Sequence, residues 1–156
     1  VLQWQKGKIM ALSLEEISDR FEIVDLLTDY CTAIDEFDIE SLDLIFAENA
    51  LIDFSEAGGP SGDLKTIKAF LKENLGNLPR QHIITNYKIQ IHGDEASVRS
   101  LCYNPLEISK ESDKTKVAIW GLWYEDKFTR TLHGWRILNR VTKPCFSWKF
   151  DVNREL

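Results

Sequence analysis

Apolar side chains recur at three- and four-residue steps between residues 14 and 35, at Ile17, Phe21, Val24, Leu27, Cys31 and Ile34. This period predicts one long helix with a buried stripe. Ser13 and Glu16 supply an S-x-x-E capping box at its start. After the break at Asp35-Glu-Phe-Asp, residues 39–47 predict a second, shorter helix with Leu42, Ile45 and Phe46 on one side. Residues 50–54 read as a short strand that runs into the loop SEAGGPSGD, punctuated by glycines and a proline. Asp63 then caps a third helix with the stripe Leu64, Ile67, Phe70, Leu71 and Leu75, and Gly76 closes it.

From His82 onward the period drops to about two. Residues 82–92 and 95–108 predict two strands joined by a tight turn at His92-Gly-Asp-Glu95. Residues 116–131 and 134–149 predict a second pair joined at Leu132-His-Gly134, with the polar run KESDKTK between the pairs. Three helices followed by a four-strand antiparallel meander define an α+β fold. A curved sheet wrapped over the long helix would bury its stripe and leave a pocket between the two.

One residue departs from the apolar pattern of the first helix. At about 100° per residue, Asp35 falls within roughly 20° of Val24, in the stripe itself. A carboxylate in an apolar setting needs a partner, a hydrogen bond or a proton. Either Asp35 is buried against a partner, or the helix has ended and Asp35 caps the next one.

Composition narrows the function classes. The chain has 156 residues, 44% of them hydrophobic, with only four prolines and eight glycines, which suits one globular domain. Residues 1–12 read as an N-terminal extension ahead of a domain at 13–150, and Met10 is a candidate natural start. Twenty-five acidic side chains face nineteen basic ones, with no basic block, which argues against nucleic acid or an anionic membrane as partner. No apolar run approaches the ~20 residues of a spanning helix. The first residues, VLQWQKGKIMALS, lack the apolar core and cleavage site of a secretory signal. Cys31, Cys102 and Cys145 are odd in number and far apart, and they read as reduced thiols in a cytoplasmic protein.

The chain has three histidines. His92 and His133 sit in turns and read as solvated. His82 opens a strand and shares a face with Ile84 and Asn86, while Ile89 and Ile91 have the opposite parity. The strand must therefore bulge or twist near Asn86 if both groups face the core. Taken alone, His82 reads as a structural histidine. Its interest comes from Asp35, the one carboxylate on the apolar face that it could meet. A carboxylate fixes an imidazole's tautomer and stabilises its cation, which suits the ring to general-base work. Tyr30, about 140° from Asp35 on the helix, reads as lying on the shoulder of the stripe. Its hydroxyl could donate to a developing oxyanion, or its ring could simply edge the core. There is no metal-ligand spacing, phosphate loop or nucleophile elbow, so cofactor-free chemistry is expected.

Tyr30-x4-Asp35, Leu44-Ile-Phe-Ala-Glu-Asn-Ala50, Gly62, Gln81-His82 and Gly134-Trp-Arg-Ile137 together resemble the nuclear transport factor 2-like superfamily. Within it they look most like the SnoaL-like group, which includes scytalone dehydratase, bile acid 7α-dehydratase and the β subunits of ring-hydroxylating dioxygenases. The resemblance spans residues 14–149. It implies a cystatin-like cone, a curved antiparallel sheet around three N-terminal helices, with an apolar cavity at the open end. It further implies that His82 removes a proton next to a carbonyl, with Asp35 and Tyr30 beside it. The aspartate base of the related ketosteroid isomerases is replaced by Phe54, with Asp53 one residue off. A second histidine used by scytalone dehydratase has no counterpart in VRSLCYN at 98–104.

The expected function is a cofactor-independent dehydratase or isomerase acting on a small hydrophobic oxygenated ring compound, such as a polyketide, steroid or aromatic metabolite. His82, Asp35 and Tyr30 are the candidate catalytic residues. Phe54, Asn86, Ser100, Asn104, Trp120, Tyr124 and Asn139 are the candidate lining. The alternative is a non-catalytic ligand-binding or assembly module of the dioxygenase β type. Trp120, Trp123, Trp135 and Trp148 suggest an apolar outer sheet face and hence a homo-oligomer, dimer or trimer.

Overall fold

The computed structural model describes residues 11–76, 78–110 and 114–153. The N-terminal extension and Met10 lie for the most part outside them, since residues 1–10 are not described. Helix α1 (Leu14–Asp35) is followed by a 3-10 turn (Ile39–Ser41), the single turn α2 (Leu42–Ile45) and strand β1 (Phe46–Asp53). Strand β2 (Ser61–Asp63) leads into α3 (Leu64–Asn74). The meander follows as β3 (Ile83–His92), β4 (Glu95–Lys110), β5 (Lys114–Thr131) and β6 (Gly134–Asn153).

Local chemistry sets the helix ends. Ser13 Oγ accepts from the Glu16 N–H at 3.1 Å, and Asp63 Oδ1 accepts from the Thr66 N–H at 2.8 Å. Gly76, at φ 51°, takes the left-handed position after α3, where a side chain would be strained. The turn between β3 and β4 uses Gly93 in the same way, at φ 62°.

The four predicted strands form the meander, but the sheet is larger and mixed. Its six strands run β2-β1-β6-β5-β4-β3. Strand β1 starts at Phe46, where the sequence predicted helix, and lies parallel to β6 with Phe46 opposite Ile137 and Leu51 opposite Asn139. Phe46, Ala50 and Ile52 gain burial in that pairing, a long-range contact that local periodicity does not register.

Helix α1 packs across the inner face of the curved sheet, but not with the predicted stripe. Ile23, Leu27, Tyr30 and Ile34 are buried, whereas Ile17 is half-exposed and Phe21 is 66% exposed. The helix carries apolar residues on two sides, so its period alone does not choose the face. The rotation puts Tyr30 in the middle of the stripe and Asp35 on its shoulder, the reverse of the sequence reading.

Bulges decide which side chains face inward. Strand β3 bulges between Thr85 and Lys88, with Asn86 left-handed at φ 49°, as the parity conflict there required. Strand β6 bulges twice, once at Leu138 and once at Cys145. The first moves the inner face from Trp135 and Ile137 to Arg140 and Thr142. The second places Phe146, Trp148, Phe150 and Val152 on the outer face, all substantially exposed. Trp135 is therefore core rather than outer surface, with its Nε1–H donating to Asp19 at 3.0 Å. Trp120 also packs against the core, while Trp123 carries the Arg99 guanidinium over its ring.

Candidate functional site

Asp35 is the last residue of α1, and His82 immediately precedes β3. The His82 backbone N–H donates to Asp35 Oδ2 at 2.8 Å, and the imidazole Nδ1 lies 2.6 Å from Oδ1. A carboxylate oxygen accepts here, so Nδ1 is the donor, and in the neutral ring Nε2 is the nitrogen with the lone pair. The two side chains are 22% and 11% exposed respectively, partly withdrawn from water. Asp35 is thus neither a free surface carboxylate nor the cap of the next helix. Asp38 fills that role, accepting from the Ser41 N–H at 3.3 Å.

Arg80 fixes the chain just before His82. Its Nη1 donates to the carbonyl of Ile34 at 3.1 Å, and its Nη2 to those of Leu75, Gly76 and Leu78 at 2.6–2.8 Å. One guanidinium therefore satisfies carbonyls at the C-terminal ends of both α1 and α3, where a cation also suits the helix dipoles. Gln81 is held in turn, its N–H bonded to Pro105 O at 3.0 Å and its carbonyl to Asn104 Nδ2 at 3.1 Å.

Tyr30 faces His82 edge to face, with ring centroids 6.2 Å apart, and meets Tyr124 in the same way at 5.7 Å. Their hydroxyls are hydrogen-bonded to one another, and burial pushes both phenols above their ordinary pKa. The Arg140 guanidinium lies 4.1 Å from each ring centroid. Asp126 holds Arg140 through two bonds of 2.8 Å, and neither side chain has any exposure. Burial pushes the Asp126 carboxyl up; burial opposes the Arg140 charge too, but the Asp126 carboxylate keeps that guanidinium protonated. Arg140 Nη1, Thr142 Oγ1 and Ser100 Oγ are buried without hydrogen-bond partners. Ser100, Tyr124 and Thr142 stand in cross-strand register on the inner face.

His82, Tyr30 and Tyr124 line a cavity of about 180 Å³ between the sheet, α3 and the turn at Phe54–Gly59. Its walls are mainly apolar, with Asn104, Thr142 and Arg80 as the other polar contributors. A larger groove along α3, lined by Lys65, Lys68 and Lys72, contains none of the candidate catalytic residues.

Of the expected lining, Phe54, Asn104 and Tyr124 face the cavity. Ser100 is buried but does not line it, and Trp120 packs elsewhere on the core. Asn86 is exposed, because the β3 bulge turns it outward. Asn139 lies in a separate depression beside His92 and Ser97, because the bulge at Leu138 gives its inward place to Arg140. Asp35 reaches the site through His82 and itself lines an outer groove with Arg80 and Gln81. Among the described residues, no group of three His, Cys, Asp or Glu side chains stands close enough to hold a metal ion. No helix among them is long and apolar enough to cross a membrane.

Residues 15–141 match the SnoaL-like domain family. The chain belongs to that family. It is 44% identical over 136 residues to uncharacterised proteins of Mycobacterium tuberculosis and Mycobacterium bovis, covering 86% of this chain and 91% of each relative. Its fold is similar to that of a Novosphingobium aromaticivorans protein whose name assigns it provisionally to scytalone dehydratase. The TM-score is 0.74 at 21% identity, over 87% of this chain and 90% of that one. It is also similar to hexachlorocyclohexane dehydrochlorinase of Novosphingobium barchaimii, with a TM-score of 0.76 at 13% identity over 88% and 93%. At these identities the likeness establishes the fold alone.

In this SnoaL-like chain, sequence reasoning missed Arg80, Asp126, Arg140 and Thr142. Arg80 carried a signal, a lone cation next to the singled-out His82. Arg140 and Thr142 carried none, since regular alternation pointed Asn139 inward.

Proposed function

We propose that this SnoaL-like protein is a lyase of the dehydratase kind, acting by proton abstraction on a small hydrophobic, oxygenated cyclic compound. The observation that carries this reading is the Asp35–His82 pair, whose imidazole lines the cavity while Asp35 holds it from behind. Asp35 holds the tautomer in which Nε2 accepts a proton. His82 Nε2 takes a proton from the carbon next to a substrate carbonyl. Negative charge then develops on the carbonyl oxygen, and the Tyr30 hydroxyl donates to it. Arg140, against the Tyr30 ring and balanced by Asp126, favours negative charge at that phenol without offering a free cation to the cavity. As the enolate re-forms its carbonyl, the β-hydroxyl leaves with the proton held on His82, giving water and a conjugated product. A positioned base is worth roughly 10²–10⁴-fold in rate, and an oxyanion donor roughly 10²–10³-fold. Return of the proton to another carbon would instead make the enzyme an isomerase.

The exposed strip Phe146, Trp148, Phe150 and Val152 supports self-association through the outer sheet face, as a dimer or trimer. The three unpaired cysteines suit a reducing compartment, and the cytoplasm is the proposed location. A screen of β-hydroxylated cyclic ketones, read by the absorbance of a conjugated product, tests the activity. Turnover by the wild-type chain supports the reading. Binding of such compounds without turnover points instead to a ligand-binding or assembly module.

A further inference from the structure

We infer that the cavity admits one ring only: an uncharged, oxygenated monocycle, with the roof made by Phe54, Gly59 and Phe70 setting the size limit. The inference rests on the reading of this cavity as the substrate site. It narrows the polyketides and steroids that sequence left open.

Volume carries the first part. A cavity of roughly 150 Å³ takes up one benzene molecule, and drug-sized sites run to roughly 300–1,000 Å³. At benzene's share of space, two fused rings need on the order of 250 Å³ and a tetracycle on the order of 400 Å³. The cavity offers about 180 Å³. That is one six-membered ring with a few substituent atoms.

The walls explain why the limit holds. Tyr30 and Tyr124 form the floor, pinned by an Arg140–Asp126 pair with no exposure. Displacing them would disturb a buried ion pair, which is costly. The roof is a packed turn beside the cavity mouth. A Cβ on Gly59 would lie 2.8 Å from the Phe54 Cβ and 3.3 Å from the Phe70 ring. Backbone bonds from Ala57 and Gly59 to the Phe54 carbonyl, at 2.9 and 3.0 Å, hold that turn in place. Phe70 is the largest part of the roof that a substitution can remove without touching the floor.

The polar groups set the ligand's character. Arg80 is the one cation among the lining residues, and both its terminal nitrogens are committed to backbone carbonyls. A ligand carboxylate would find no free counter-charge there. Thr142 Oγ1 is buried and unpartnered at the cavity wall, which suits a ketone or hydroxyl oxygen.

Cyclohexanone, decalone and androstanone carry the same ketone on one, two and four rings. Each is titrated into the full chain, and the Asn104 and Thr142 amide signals are followed by NMR. Cyclohexanone is expected to shift both signals saturably, with decalone and androstanone at least tenfold weaker. Phe70→Ala should shrink the difference between cyclohexanone and decalone by at least tenfold. Nonspecific apolar binding would give the opposite order, since larger rings bury more surface. The inference is overturned if either larger ketone comes within tenfold of cyclohexanone in the wild-type chain. It is equally overturned if cyclohexanone shifts neither signal, or if Phe70→Ala leaves the order unchanged. His82→Gln should keep the same size order. If size selection holds while His82→Gln retains full turnover, the proposed base is wrong and the size limit stands.

Discussion

Asp35 closes on His82 from two directions, one carboxylate oxygen taking the backbone N–H and the other the imidazole Nδ1–H. The grip fixes the position of the residue and the orientation of its ring together. Asp35→Asn keeps the shape but loses the charge, and its amide can present an N–H to Nδ1, favouring the wrong tautomer. We expect turnover to fall by roughly 10²–10⁴-fold while the unfolding temperature moves little. Asp35→Ala should also cost about 1–2 kcal/mol of stability, because the His82 N–H loses its acceptor. Steady-state kinetics beside thermal unfolding separate the two effects.

Arg80 should matter to stability well beyond one surface cation. Arg80→Met strands carbonyls at the ends of α1 and α3, and we expect a loss of about 3 kcal/mol in denaturant unfolding. Arg80→Lys should recover only part of it, since an ammonium lacks the planar fork that reaches several carbonyls at once. Equal stability of Arg80→Met and wild type would remove the clamp.

The Arg140–Asp126 pair gives a sign test. Arg140→Met leaves a buried carboxylate unpaired and should cost about 3–5 kcal/mol. Adding Asp126→Leu to that variant should restore most of the loss, because both charges are then gone. A double variant that is less stable than Arg140→Met alone would contradict this.

Acid stability should depend on Asp19. Hydrogen bonds from Arg130, at 2.7 Å to each carboxylate oxygen, hold its carboxyl below the usual range, against the opposing effect of burial. A depressed folded-state pKa means that the contribution is present above the unfolded value, near pH 4. It is lost as pH falls through the folded one. Asp19→Asn should therefore flatten the loss of stability below about pH 4. Unfolding midpoints measured across that range check it.

Thiol chemistry should single out Cys145, the bulge residue on β6, which is exposed. Burial pushes the Cys31 thiol up to about 12 and the Cys102 thiol up to about 11, and both are covered. A chromogenic disulfide reagent should titrate one thiol in the native chain and three after unfolding.

What was legible in the sequence was local. Capping residues fixed the starts of α1 and α3, and turn glycines fixed the hairpins. The parity conflict around Asn86 announced the β3 bulge. Asp35 stood out because an apolar helix face should not hold a carboxylate without a partner. The misplaced features depend on contacts distant in sequence. The choice between two apolar faces of α1 is made by the sheet, and it exchanged the positions of Tyr30 and Asp35. Strand β1 began early because Phe46 and Ile52 pair with β6, some ninety residues on. The bulge at Leu138 broke the alternation that pointed Asn139 inward, so Arg140 reached the site unannounced.

The central claim is that His82 is the base of a reaction carried out in this cavity. Its most direct test is the turnover number of His82→Gln against wild type, on a cyclic ketone that the wild-type chain dehydrates, with binding measured in parallel. Turnover should fall by at least roughly 10²-fold with binding nearly unchanged, since the base acts in the transition state. Undiminished turnover by His82→Gln would make the Asp35–His82 pair a structural contact and contradict the mechanism.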